Sequence, residues 1–286
     1  MDVGIGLPNA LDGVRGRALI EWAVAAEARG FSVLGSIGRL VFDAHDELVA
    51  FGAAAAVTER IELMSTVLIA PPRQAALLAR QVATLDHLAE GRFRLGMGVG
   101  IRRDDYDVLG ASFAERGAAF DRLLDALAAT WARQPLPGAD SPVGPPPYRQ
   151  GGPTIVIGGG SDRALRRVGQ RADAWLASLG SRDEIAAGYR AVCAAAEQVG
   201  RPAPRFLASG YFALGDVDRE VRHNVEAYYR FGGAPFIDMV DAAVLRTPEQ
   251  ITAYLSMLAG IGAEEVCLWP LARGIDQLHA LADAVL

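Results

Sequence analysis

The stretch Pro153–Trp175, PTIVIGGGSDRALRRVGQRADAW, decides the fold, because strand, turn, helix and next strand follow one another with almost nothing between them. Ile155, Val156 and Ile157 form the short β-branched run that a buried parallel strand needs, and Gly158, Gly159 and Gly160 end it. Ser161 and Asp162 are good helix N-caps, and Ala164, Leu165 and Val168 continue at helical spacing. The glycine run therefore meets the N-terminus of a helix. Unpaired N–H groups and the macrodipole favour an anion there, and residues without Cβ let a phosphate come close to the backbone. Taken alone, the run supports two readings, a phosphate cradle or a tight βα turn. It lacks a Walker-type lysine and the spacing G-x-G-x-x-G, which argues against a nucleoside triphosphate or a Rossmann-bound NAD.

The same alternation extends in both directions. Upstream, strands are expected at Val3–Leu7, Phe31–Gly35, Ile61–Leu68 and Phe93–Val99, with helices over Arg17–Arg29, His45–Val57, Gln74–Leu88 and Phe113–Arg133 between and after them. A segment from Pro135 to Pro153 carries seven prolines and reads as an irregular insertion. Downstream come strands at Ala174–Ala177, Phe206–Phe212 and Glu264–Trp269, and helices over Glu184–Val199, Thr247–Ala259 and Gly274–Leu286. Asp216–Val244 is longer than one return helix requires. Eight βα units in succession predict a (β/α)8 TIM barrel forming a single domain over residues 1–286. Its chemistry should gather at the carboxyl ends of the strands.

Composition narrows the function. The 286 residues are 51% hydrophobic, and 28 basic residues face 34 acidic ones for a net charge of -6, a profile of a globular enzyme and not of a nucleic-acid binder. Cys193 and Cys267 are the only cysteines, so neither a disulfide framework nor a C-x-x-C metal site exists. The four histidines are scattered, none at metal-ligand spacing. With no signal-peptide pattern at the start and no apolar run of transmembrane length, a cytoplasmic location without a membrane partner is expected. No G-x-S-x-G elbow occurs, and the absence of lysine excludes a Schiff-base aldolase. A phosphate-binding isomerase barrel stays open as an alternative.

Several separate patterns then carry a resemblance. GIGLP at the first strand, AAAVTERIEL before the third, ATLDHLAEGR, GMGVG, and GGGSDRALRRVGQRADAW occur in an order and spacing that closely resemble the luciferase-like flavin-dependent oxidoreductases. That family includes bacterial luciferase, FMN-dependent monooxygenases and F420-dependent dehydrogenases and reductases. The resemblance implies FMN or coenzyme F420 as cofactor, a small organic substrate at the barrel mouth, and a homodimer formed through barrel helices, with the apolar Ala50–Val57 as a contact. It places the cofactor phosphate on Gly158, Gly159, Gly160 and Ser161. It also implies a bulge or a non-prolyl cis peptide at Ser65-Thr66, beneath the middle ring of the cofactor, although two ordinary buried polar residues would read the same way. Gly98 and Gly100 would leave room for the ring and its tail, and Asp105 and Tyr106 would steady the loop. Arg39, Arg102 and Tyr211 are expected to line the substrate pocket, Arg102 facing an anion or solvent. Two departures limit the chemistry: Gly35–Leu40 lacks the histidine that many members carry, and Ile101 stands where some sugar dehydrogenases place an acidic glutamate. Oxygenation with FMN, hydride transfer with F420 and a catalytically silent flavin binder therefore all remain open.

Overall fold

The computed structural model describes residues 1–286. Its strands are β1 (Asp2–Gly6), β2 (Val33–Ser36), β3 (Glu62–Ser65), β4 (Leu68–Ile69), β5 (Phe93–Gly98), β6 (Thr154–Gly158), β7 (Ala174–Leu176), β8 (Arg205–Phe212) and β9 (Glu265–Pro270). Strands adjacent in chain order pair in parallel, except β3 with β4, and β1 pairs with β9. β3 and β4 are two halves of the third barrel strand, since both pair with β5, through Leu63 opposite Phe93 and Leu68 opposite Met97. The sheet is thus a closed eight-strand barrel.

The helices are α1 (Gly16–Arg29), α2 (Glu47–Ala55), α3 (Ala75–Leu88), the short α4 (Asp104–Asp107), α5 (Arg116–Trp131), α6 (Asp162–Arg171), α7 (Arg182–Glu197), α8 (Asp218–Tyr229), α9 (Gly233–Ala242), α10 (Pro248–Ala259) and α11 (Ile275–Val285). α2 begins two residues later than the periodicity predicts because Asp46 caps it, accepting from the amides of Leu48 and Val49. α7 starts in a full capping box between Ser181 and Glu184. The long segment after β8 resolves into α8, a 3-10 turn (Arg230–Gly232) and α9, so one return helix becomes a folded excursion across the mouth. No helix is long and apolar enough to cross a membrane.

Alternation along the strands builds two apolar layers. Val33, Met64, Val156, Leu207 and Cys267 point into the barrel, while their neighbours Leu34, Leu63, Ile157, Phe206 and Leu268 pack under the helices. Shifting any strand by one residue would exchange the layers, so register is firmly specified. At the amino-terminal end the interior holds a charge. Arg94, 2% exposed, pairs with Glu265 at 2.8 Å and with Glu62 at 3.0 Å.

Candidate functional site at the barrel mouth

Past β6 the backbone turns through Gly159, at φ 129°, and Ser161 caps α6 by accepting from the amide of Ala164. The Gly159 carbonyl accepts from the Trp175 indole at 2.9 Å, which anchors the turn. The amides of Gly159, Gly160 and Ser161 donate to no acceptor in the chain. A Cβ built on Gly160 meets nothing within 4 Å, and Gly160 and Ser161 face solvent. Three free donors thus surround open space at a helix N-terminus, the geometry that receives a phosphate.

Val67 divides this half of the mouth from the strands below. A Cβ on Gly98 would lie 2.8 Å from a Val67 methyl, and one on Gly158 would lie 3.1 Å from its other methyl. The missing side chains of Gly98 and Gly158 therefore admit Val67, rather than leaving vacant room. Gly100, at φ 66°, packs in the same way against Ile69. The cis peptide is Thr66-Val67, one residue beyond the expected Ser65-Thr66. Ser65 turns away from the mouth: its hydroxyl donates to the Gly96 carbonyl and accepts from the Gly96 amide, tying β3 to β5. Thr66 does reach the mouth, where its hydroxyl donates to the Ser36 carbonyl at 2.7 Å and accepts from the Trp269 indole at 3.0 Å.

The other half of the mouth is aromatic. Tyr211, at the end of β8, and Tyr229, at the end of α8, join hydroxyl to hydroxyl, and Trp269 lies beside Tyr211 with ring centroids 5.3 Å apart. Arg102 enters from the loop after β5 and donates to the carbonyl of Tyr228. Its guanidinium stands 4.3 Å from the Tyr228 ring and 4.4 Å from the Phe231 ring, and it has no acidic partner. Burial pushes its pKa down, yet an arginine stays charged. Burial likewise pushes the Tyr211 and Tyr229 phenols well above their ordinary values, so both remain protonated hydrogen-bond donors.

Of the three residues expected in the substrate pocket, Tyr211 and Arg102 meet at this cluster, and Arg39 reaches its edge, its guanidinium 6.0 Å from the Tyr228 ring. Arg39 also pairs with Asp104 at 2.8 Å and lines a second cavity of about 270 Å3 with Glu47, Ile69, Arg73, Gln74 and Asp105, formed by the segments that follow β2, β4 and β5. Asp105 accepts from the Val41 amide, and the Tyr106 hydroxyl donates to the Val99 carbonyl, so this pair does hold the loop. Val67, Tyr228, Tyr229 and Trp269 were not expected from sequence. The one signal for them is the aromatic run Tyr228–Phe231 inside a segment too long for a single helix.

The two halves of the mouth differ in how they suit a phosphorylated redox cofactor. The free amides and open space at Gly160 fit its phosphate. Beneath the aromatic cluster the cavity measures about 20 Å3, room for about one water and not for a fused ring.

A family model described as luciferase-like monooxygenase matches residues 1–264. The chain belongs to this family. As a luciferase-like protein it is a member of an oxidoreductase family whose fold it shares. The phthiodiolone/phenolphthiodiolone dimycocerosates ketoreductase of Mycobacterium tuberculosis is 32% identical over 163 residues, 54% of this luciferase-like chain and 42% of the relative. The chain spans about half the length of the curated relatives it matches. Among solved structures, an F420-dependent secondary alcohol dehydrogenase with an F420-acetone adduct superposes with a TM-score of 0.81 at 13% identity, covering 99% of this chain and 98% of that one. The oxygenating constituent of 3,6-diketocamphane monooxygenase from Pseudomonas putida, in complex with FMN, superposes at 0.76 with 17% identity, covering 99% and 95%. At those identities the likeness concerns the fold.

Proposed function

We propose that the protein is an FMN- or F420-dependent oxidoreductase acting on a small organic substrate at the carboxyl end of the barrel, with residues 1–286 working as one domain. The observation that carries this reading is the set of unpartnered amides at Gly159, Gly160 and Ser161, at the helix N-terminus just past the fifth barrel strand, in a chain of luciferase-like sequence. Those amides would hold the cofactor phosphate through charge-assisted hydrogen bonds. The bound cofactor supplies the redox chemistry, exchanging hydride with substrate and, in the case of FMN, reacting with oxygen.

The protein's own contribution is position and dryness. Thr66, Trp269 and Ser36 form a hydrogen-bonded floor, Val67 closes the space under Gly98 and Gly158, and the Tyr228–Phe236 segment roofs the aromatic half against water. No carboxylate or histidine borders the small cavity, so proton donation there falls to phenols. Titrating the purified protein with FMN and with F420, followed by absorbance, tests the reading. Saturable binding of either supports it, and failure of both overturns it. Oxygen consumption during turnover then separates a monooxygenase from a hydride-transfer reductase or dehydrogenase. Val49 on α2, 74% exposed, and Leu77 on α3, 56% exposed, support a homodimer through these helices, which light scattering on Val49→Glu would test.

A further inference from the structure

We propose that Arg163 and Arg166, on the outward face of α6, bind the carboxylates of the glutamate tail of coenzyme F420, a subsite that F420 engages and FMN cannot. The proposal rests on reading the Gly159–Ser161 amides as the seat of the cofactor phosphate, and its test separates the two.

Pairing sorts the arginines of this region. α6 buries Ala164, Leu165, Val168 and Gly169 against the molecule. Arg167 and Arg171 turn to the α5 side, where Arg167 meets Asp121 at 2.6 Å and Arg171 meets Asp125. Arg116, at the start of α5, lies 3.9 Å over the Phe113 ring and donates to the Phe113 carbonyl. Arg163 and Arg166 are exposed, and neither makes an ion pair or a side-chain hydrogen bond. Two uncommitted guanidiniums one turn apart thus outnumber the single free carboxylate on this face, Asp162, which pairs with neither.

Position ties them to the phosphate seat. They stand two and five residues beyond Ser161, about 3 and 7.5 Å along the helix axis. Every Cα–Cβ bond of a helix tilts toward its N-terminus, so both side chains reach back toward the free amides. A Cβ built on Gly160 meets nothing within 4 Å, so a chain leaving a phosphate seated there passes into open space over this face.

The two candidate cofactors differ at that point. FMN stops at a phosphate monoester. F420 continues from a phosphodiester through lactate into glutamates, each carrying a free carboxylate. Within reach of unpaired guanidiniums those carboxylates gain charge-assisted hydrogen bonds. The contacts are exposed, so each adds little and salt weakens it.

Fluorescence titration of the protein with F420 carrying several glutamates, with F420 lacking glutamates, and with FMN tests the site. At low salt the tailed form should bind roughly three- to tenfold more tightly than the tail-less form, the worth of two exposed charge contacts. In about 0.5 M salt that preference should vanish. Arg163→Gln combined with Arg166→Gln should bring the tailed form down to the affinity of the tail-less one, with a circular dichroism spectrum matching wild type. Equal affinities in the wild type at low salt overturn the proposal, as does a preference that ignores salt or survives in the double variant. If FMN or tail-less F420 binds while the glutamates add nothing, the oxidoreductase reading stands and the tail site falls. If neither FMN nor any form of F420 binds, both fall.

Discussion

The indole of Trp269, on the last barrel strand, donates across the mouth to the hydroxyl of Thr66 on the third, at 3.0 Å and 203 residues away in sequence. Thr66 passes the connection on to the Ser36 carbonyl at 2.7 Å, so three strand ends are fixed by one hydroxyl. Thr66→Val keeps the shape and removes the oxygen, leaving a buried indole N–H without a partner. A loss of about 1–3 kcal/mol is expected in urea unfolding, and Thr66→Ser should restore most of it.

The opposite end of the barrel makes a sharper test. Arg94→Met would leave Glu265, 2% exposed, without its cation inside the barrel. Breaking a buried pair from one side costs about 3–5 kcal/mol, whereas Arg94→Met combined with Glu265→Leu should recover a large part of it. Thermal and urea unfolding of the single and double variants against wild type measure both values.

Glycines at the mouth should divide by what lies beside them. Gly160→Ala has open space around it, so stability should hold while FMN or F420 affinity falls at least tenfold through lost approach to the amides. Gly96→Ala would push a Cβ to 1.7 Å from the Ser65 carbonyl and should abolish folding. Circular dichroism and equilibrium titration together distinguish the two outcomes.

Alkaline pH supplies a fourth test. Burial pushes the Tyr254 phenol from 10.0 up to about 12, and its hydroxyl donates to the Ser209 carbonyl at 2.7 Å. The folded state thus holds the proton more tightly than the unfolded chain does. That contribution is fully present below pH 10 and fades as pH rises through about 12, at roughly 1.4 kcal/mol per pH unit inside the window. Tyr254→Phe should show a shallower fall of the urea midpoint between pH 10 and pH 11.

The barrel was legible because its information is local. Short β-branched runs such as Ile155–Ile157 and helical stripes such as Leu19, Trp22, Ala23 and Ala26 carry their periods in a few residues, and they recur eight times. The turn after β6 was legible for the same reason, with Gly158–Gly160 and the Ser161 cap adjacent in the chain. What closes the mouth was not. Arg102 meets Tyr228 across 126 residues, and no period within either segment announces the contact. Proximity to a strand end does not fix the direction of Arg39, whose guanidinium both pairs with Asp104 and lies over the Tyr228 ring. Gly98 was read as vacancy because sequence shows a missing side chain but not the Val67 methyl that takes its place.

The clasp between Arg102 and the end of α8 has an unusual character, since it joins a cation to ring faces and a carbonyl and never to an opposite charge. Added salt screens ion pairs and leaves such a desolvated contact nearly untouched. Entry to the barrel should therefore be governed by warmth and by molecules that compete for aromatic surface, while ionic strength passes it by.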